Sequence, residues 1–185
     1  MPARYYSKKF SLNGDTTQQL VIAFIDTNPL IKEFYKNSEY GPNVKSQDTT
    51  AQKVWLKNVL NASSPNIKWR LVVGHHPMFT GSDKRRESYD TRAIRNSLKT
   101  FLEQNKVDAY LAGHDHSLQH IVPPGNVHHF VSGAASEVTQ VGMLTSSKFA
   151  ASQYGFMVFS VQPTEIIVQT IGYEGNVIYK TSLKK

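Results

Sequence analysis

The sequence contains no cysteine. Disulfides and thiolate metal ligands are therefore excluded, and any metal must be held by His, carboxylate, amide or phenol groups. No run approaches the roughly 18 apolar residues of a membrane span. No charged-then-apolar leader precedes the fold either, so a membrane-embedded chain is not expected. Acidic residues are scarce, 14 against 21 Lys and Arg, a formal charge of +7. That balance suits an anionic substrate and equally a solvated basic surface. The basic clusters Lys84-Arg85-Arg86 and Lys184-Lys185 carry no interleaved aromatics, so they do not point to a nucleic-acid partner. Internal repeats and low-complexity segments are also missing. What remains, 185 residues of which 39% are hydrophobic, is enough for one domain, 1–185, with a full core.

Two stretches of similar build organise the chain. Val107 to Ala112 reads as a buried strand that stops at Gly113 and delivers His114-Asp115-His116. In an extended chain, side chains at i and i+2 leave the same face. A strand end carrying His-x-His is thus a natural half-site for a transition metal. Leu71-Val72-Val73 is a second apolar run, ended by Gly74 and followed by His75-His76-Pro77. Between the two lies a helical pattern, Thr91 to Gln104, with Ile94, Leu98, Phe101 and Leu102 as its apolar stripe. The spacing predicts a βαβ unit, which brings both Gly-His ends to one edge of a sheet, where α/β proteins keep their sites.

Upstream, Arg4 to Leu12 alternates, Asn13-Gly14-Asp15 signals a turn, and Gln19 to Asp26 reads as a second strand, predicting a hairpin. Thr27 to Gln47, with Pro29, Gly41 and Pro42, reads as a long loop with one helical turn near Ile31 to Tyr35. A helix is expected from Thr49, capped by Asp48, Thr49 or Thr50, with Ala51, Val54, Trp55, Val59 and Leu60 on its apolar face. Pro65 separates it from a strand, Lys68 to Val73. After His116 the pattern turns to strands alone: Val127 to Ser132, Gly155 to Gln162, Glu165 to Ile171 and Val177 to Leu183. The expected class is α/β, a mixed sheet with two main helices and a strand-rich C-terminal third.

Gly74-His75-His76-Pro77 followed by Gly113-His114-Asp115-His116 resembles the last two metal motifs of the calcineurin-like metallophosphoesterases. The wider pattern is similar to the purple acid phosphatases of the small tartrate-resistant type. It includes Tyr5 to Phe10, Ile25-Asp26-Thr27, Trp55-Leu56, Val131 to Ala134 and Tyr154-Gly155-Phe156. The resemblance implies a phosphomonoesterase on an αββα sandwich with a dinuclear centre, iron beside zinc, manganese or a second iron. It implies that His75 and His114 bind the divalent ion and that His116 binds the neighbouring iron. His76 stands where that family tends to carry an aromatic or another residue, and is a candidate either to face the phosphate as a catalytic residue or to pack the loop before Pro77. The resemblance also implies a phosphate ester substrate and a family that is often secreted or periplasmic.

One departure qualifies these implications. The family's remaining ligands, two Asp, a Tyr and an Asn followed by His, come from motifs that precede this region, and none occurs here. The one Gly-Asp, Gly14-Asp15, lies in the hairpin turn, and there is no Asn-His pair. The chain is therefore expected to be the C-terminal portion of such a domain. Two divalent ions at roughly 3.5 Å repel by about 5 kcal/mol even in water, and no bridging carboxylate is at hand to offset this. At most one weakly held metal and little activity are expected of the isolated chain. Two other readings stay open: a catalytically silent binding or scaffolding protein, self-associating through an uncovered face, and a single-zinc site of His75, His114 and His116.

Of the other residues, Asp115 is expected to point away from the histidines as a supporting or turn residue, and Asp26 to orient a loop. His120, His128 and His129 are assigned to a half-exposed sheet. Lys84, Arg85 and Arg86 are candidates for holding an anion. The loops Gly81 to Ser88 and Gly142 to Ser152 are those expected to set substrate choice.

Overall fold

Two short strands, Ile67–Val73 (β3) and Ala109–Ala112 (β4), are largely buried on both faces, and each face finds its own partner. Successive side chains alternate across a strand. Val72 and Tyr110 accordingly join Leu56, Leu60, Ile94, Leu98 and Leu102 of two helices. Trp69, Leu71 and Ala109 join Phe130, Ile166, Val168 and Leu183 on the opposite side. The result, in a computed structural model describing residues 2–185, is a helix layer, a seven-stranded sheet and a three-stranded sheet. These are three of the four layers of an αββα sandwich.

The chain enters through the expected hairpin, Tyr6–Leu12 (β1) and Asp15–Phe24 (β2), which pair antiparallel. β2 runs parallel to β3, and β3 runs parallel to β4. Between β2 and β3 the segment read as a loop holds two 3-10 turns, Asn28–Leu30 and Lys32–Lys36, and a short helix, Gly41–Lys45 (α1). Thr49–Leu60 (α2) follows, with the Asp48 side chain accepting from the backbone N–H groups of Thr50 and Ala51. Its buried face is the expected one in part: Leu60 is buried and Trp55 and Val59 pack against the core. Gln52 and Leu56 point inward as well, while Val54 is 56% exposed. Gln52 is tolerated there because both ends of its amide are used, accepting from Asp26 N and donating to Asp26 O. Arg70, also buried, closes the C-terminal end of α2 by donating to the carbonyls of Leu60, Asn61 and Ser64.

Tyr89–Gln104 (α3) bridges β3 to β4 as predicted, with Ile94, Leu98 and Leu102 inward. Beyond β4, Leu118–Ile121 (β5) and Ser147–Ala151 (β7) are strands that the sequence reading passed over, the second inside the stretch read as a loop. With His128–Ser132 (β6) they complete the large sheet in the order β1-β2-β3-β4-β6-β5-β7. Gly155–Val161 (β8), Glu165–Gly172 (β9) and Val177–Lys184 (β10) form the small antiparallel sheet. Its outward face leaves Phe156, Val158 and Val177 40% or more exposed. No helix among the described residues is long and apolar enough to cross a membrane.

The three histidines assigned to a half-exposed sheet lie deeper than that: His120 and His129 are fully buried and His128 is partly so. His120 clasps the two sheets together, one ring nitrogen 2.8 Å from the Tyr179 hydroxyl on β10 and the other 2.9 Å from His128. Its ring stacks on Phe130 at 4.3 Å. Burial pushes His120 down to about 3 and His129 to about 4, against about 6.5 for a histidine in the unfolded chain. The unfolded state therefore takes up these protons first. The stability they contribute is complete above about pH 6.5 and is lost as pH falls toward 4. Urea midpoints should decline steeply over that window, and His120→Phe, which keeps the stacking, should flatten the decline; equal slopes for the two proteins would contradict this account.

Candidate metal centre

The parallel register of β3 and β4 pairs Val73 with Leu111, so the two strands end level. Each closing glycine then bonds across to the other strand's continuation: Gly74 N–H donates to Leu111 O (3.0 Å) and Gly113 N–H to His75 O (3.1 Å). The chain leaves both ends on the same edge, and His75 and His114 come face to face, His75 Nε2 lying 3.1 Å from His114 Nδ1. His76 joins them. One ligand atom from each of His75, His76 and His114 falls within 4.8 Å of the others, the one such cluster among the described residues.

The expectation that His114 and His116 project from an extended chain fails at His114, whose φ is +63°. That left-handed residue, sparsely populated by side chains other than Gly, Asn and Asp, turns the strand end into a tight loop. Asp115 N–H donates back to Gly113 O at 2.7 Å. His114 and His116 thus diverge. His116 lies outside the cluster, its Nδ1 2.9 Å from a carboxylate oxygen of exposed Glu137. The loop passes so close to the end of β6 that a Cβ on Gly133 would sit 2.2 Å from Asp115 O.

His76 is not at the mouth of the site. It is 3% exposed, its Nδ1 lies 2.8 Å from the Thr27 hydroxyl, and Tyr110 donates to its backbone carbonyl at 2.7 Å. The edge of Phe34 packs against its ring. Burial, reinforced by His114 and His75, pushes its pKa down to about 3. His75, though exposed at its outer edge, is shifted in the same direction by the same causes, with Arg85 adding to them. These imidazoles stay neutral near pH 7 and keep lone pairs for a cation, the condition a metal ligand has to meet.

Two buried carboxylates support the cluster. Asp115 points away from the histidines, as expected, into a network with the hydroxyl of Thr80 and the Arg85 guanidinium, whose Nε lies 3.2 Å from Oδ1. Burial pushes this carboxyl up, against the lowering effect of Thr80 and Arg85. Gln119 ties the same network to the backbone of Gly81. Asp90, in the first turn of α3, was not singled out in the sequence, where it stands just before the helical pattern expected from Thr91. Its Oδ2 lies 2.9 Å from His114 Nε2. Burial works to raise its pKa, but His114, Ser88 and the Thr91 N–H outweigh that and hold it well below the usual carboxylate range.

Asp26 stands at the edge of this region and orients its loop, accepting from Asn28 N–H and the Gln47 amide. From Arg85 a cleft of about 700 Å³ opens between Ser82–Arg85 and the 138–142 segment. Lys84 and Arg85 line its wall. Arg86 instead pairs with Asp83. Thr139 N–H, bonded to His116 O, fixes the far wall to the histidine loop.

The calcineurin-like phosphoesterase family model matches residues 6–118, from the first strand through the histidine loop. The chain belongs to the calcineurin-like phosphoesterases. It is 31% identical over 173 residues to purple acid phosphatase 7 of Arabidopsis thaliana, 88% of this chain and 51% of that protein. To tartrate-resistant acid phosphatase type 5 of Mus musculus it is 26% identical, covering the whole chain and 58% of the relative. The chain spans about half the length of the curated relatives it matches. Among solved structures, an anchor protein of the Plasmodium inner membrane complex superposes with a TM-score of 0.76 at 24% identity, over 100% of this chain and 55% of that one. A purple acid phosphatase from yellow lupin seeds gives 0.71 at 14% identity, over 97% and 32%.

The donor set fits one cation, because three imidazole nitrogens converge. What holds them in place is legible in one glycine. A Cβ on Gly74 would stand 2.3 Å from the Tyr110 hydroxyl and 2.7 Å from a Thr27 methyl, the two side chains that fix His76. Gly74→Ala should therefore destabilise the fold by about 1–3 kcal/mol and weaken zinc binding at least several-fold, read by thermal melts and competition with a chromophoric chelator. Unchanged zinc affinity would dissociate His76 from the site.

Proposed function

We propose that the chain carries the histidine half of a metal-dependent phosphoric monoester hydrolase, whose complete protein acts through a dinuclear centre of iron with zinc, manganese or a second iron. Alone, these 185 residues hold at most one ion, weakly, and turn over little substrate. The observation that carries this reading is the cluster of His75, His76 and His114, in which no carboxylate takes part.

In this reading His75 Nε2 and His114 Nδ1 hold the ion, with His76 as the third nitrogen. His116, turned out toward Glu137, is the donor for a neighbouring ion. Bound metal supplies Lewis acidity toward phosphoryl oxygens and lowers the cost of generating hydroxide near neutral pH. The chain's own part is to keep three imidazoles converged, with His75 and His76 held neutral by burial, and to present Lys84 and Arg85 along the cleft, where cations hold the anionic ester.

A second reading, a catalytically silent scaffolding protein, is favoured by a different observation. Phe156, Val158 and Val177 form an apolar patch on the outer face of the small sheet, suited to self-association. The structural neighbour described as an anchor in the Plasmodium inner membrane complex makes the same fold a precedent for such a role.

Elemental analysis of protein purified without added metal, with a p-nitrophenyl phosphate assay alongside, separates these readings. Less than one metal equivalent and background turnover are expected, with activity appearing once the chain is joined to a segment carrying the Asp, Gly-Asp and Gly-Asn-His motifs. Two equivalents of iron or zinc with robust turnover by the chain alone would overturn the proposal. A completed protein that stays silent, and a chain that light scattering finds dimeric until Phe156→Glu, would point to the scaffold.

A further inference from the structure

His114 is touched at both ring nitrogens, and what each neighbour can do with a proton differs. Nδ1 faces His75 Nε2 at 3.1 Å, inside the cluster. Nε2 faces Asp90 Oδ2 at 2.9 Å. An ionised carboxylate only accepts, so a contact at that distance is favourable when Nε2 carries the proton. A neutral imidazole has one proton. With it on Nε2, the Nδ1 lone pair is left aimed at the cluster.

Asp90 is well fixed for this task. It is 7% exposed at the start of α3. Its other oxygen, Oδ1, accepts from the Ser88 hydroxyl and, at 2.8 Å, from Thr91 N–H. With Oδ1 occupied by two donors, Oδ2 has His114 as its partner. The carboxylate is thus locked in rotation by the helix that bears it. That helix is the crossover between the two strands whose ends carry His75 and His114, so one element sets both the spacing of the strands and the orientation of the ring.

One neighbour pulls the other way. The Arg85 guanidinium also reaches His114 Nε2, and an N–H donor there favours a lone pair on Nε2 and the proton on Nδ1. The charge of Arg85 is already matched by buried Asp115 through Nε. Both contacts have one ionised partner and are charge-assisted, but Arg85 already has Asp115 as counter-ion, whereas Asp90 Oδ2 has His114 as its partner, so the carboxylate makes the stronger demand.

We infer that Asp90 is a positioning residue that holds His114 in the Nε2–H tautomer and so turns its Nδ1 lone pair toward His75, pre-forming the two-nitrogen face of the cation site. A carboxylate behind a ligating histidine fixes its tautomer and orientation and raises its basicity, and losing it costs 10–100-fold in metal affinity. Asp90→Asn keeps the shape but lets an amide N–H face Nε2, which rewards the opposite tautomer.

The inference rests on the metal-dependent reading above for its purpose, but its first test does not. Nitrogen-15 chemical shifts of the His114 ring in the metal-free wild-type chain should show a protonated Nε2 and a bare Nδ1. The Asp90→Asn chain should shift toward protonated Nδ1, and its zinc affinity, measured by competition with a chromophoric chelator, should fall roughly 10–100-fold. A wild-type His114 protonated on Nδ1 overturns the inference without any variant, so the test survives a variant that does not fold. An Asp90→Asn chain with an unchanged tautomer, or with zinc affinity within about twofold of wild type, overturns it as well. A wild-type chain that shows the expected tautomer and its reversal in Asp90→Asn, yet takes up no zinc, upholds the positioning role of Asp90 and sinks the metal-binding reading instead.

Discussion

Everything at the site depends on two parallel strands ending level. Val73 and Leu111 are register partners, and the amides of Gly74 and Gly113 then bond across the gap to the carbonyls of Leu111 and His75. A shift of one residue in that pairing would invert every side chain of β3 relative to its neighbours, sending Val72 toward the small sheet and Leu71 toward the helices. The two cores therefore specify the register, and the register specifies the distance between His75 and His114. In this sense the metal cluster is a by-product of burying strands on both faces. No interaction within the cluster has to hold it together against the rest of the fold.

That matters because the cluster by itself is not comfortable. Three imidazoles with converging lone pairs gain little from one another, and any proton taken up there is repelled by its neighbours and by Arg85. The surroundings offset this by keeping His75 and His76 neutral through burial and by giving two of the three rings a polar partner outside the cluster, Thr27 for His76 and Asp90 for His114. Arg85, the nearest fixed cation, is neutralised by Asp115, which is wholly buried. A charged pair placed this way costs desolvation and gives modest stability. Its effect at the site is to let a positive group line the cleft without filling the cation position.

The sequence revealed those parts of this arrangement that depend on short-range signals. Asn13-Gly14, the apolar runs before Gly74 and Gly113, and the stripe Ile94, Leu98, Leu102 each encode their element locally, and the βαβ unit follows from their order. The family resemblance rested on the same two Gly-His stretches. Tertiary choices stayed hidden. Gln52 is a polar residue on the buried face of α2 only because Asp26, 26 residues away in sequence, offers it both a donor and an acceptor. β5 and β7 are short, and they are fixed by their neighbours, β5 by β6 and β7 in turn by β5 at the sheet edge, rather than by their own composition. The left-handed turn at His114 defeated the i, i+2 argument because histidine's preference for φ > 0 is too weak to mark a turn by itself. Asp90, one residue ahead of the expected helix, went unnoticed because its partner lies 24 residues downstream.

The same geometry bears on how much of a two-ion site this chain can supply. All three clustered nitrogens come from the ends of β3 and β4, and His116 is carried outward by the turn. A second ion a few ångströms from the first would meet a repulsion of about 5 kcal/mol at the dielectric of water. Inside a partly buried site the figure rises, and neutral imidazoles bring no charge to counter it. Carboxylates have to come from elsewhere. The outer face of the small sheet, with Phe156 and Val158 exposed on β8, is where these residues lack a fourth layer. Balancing the charge of a bound cation and covering that face are two separate demands, and they fall at different places in the fold. The histidines converge at the level ends of β3 and β4, whereas the uncovered apolar side chains lie on the outer face of the small sheet.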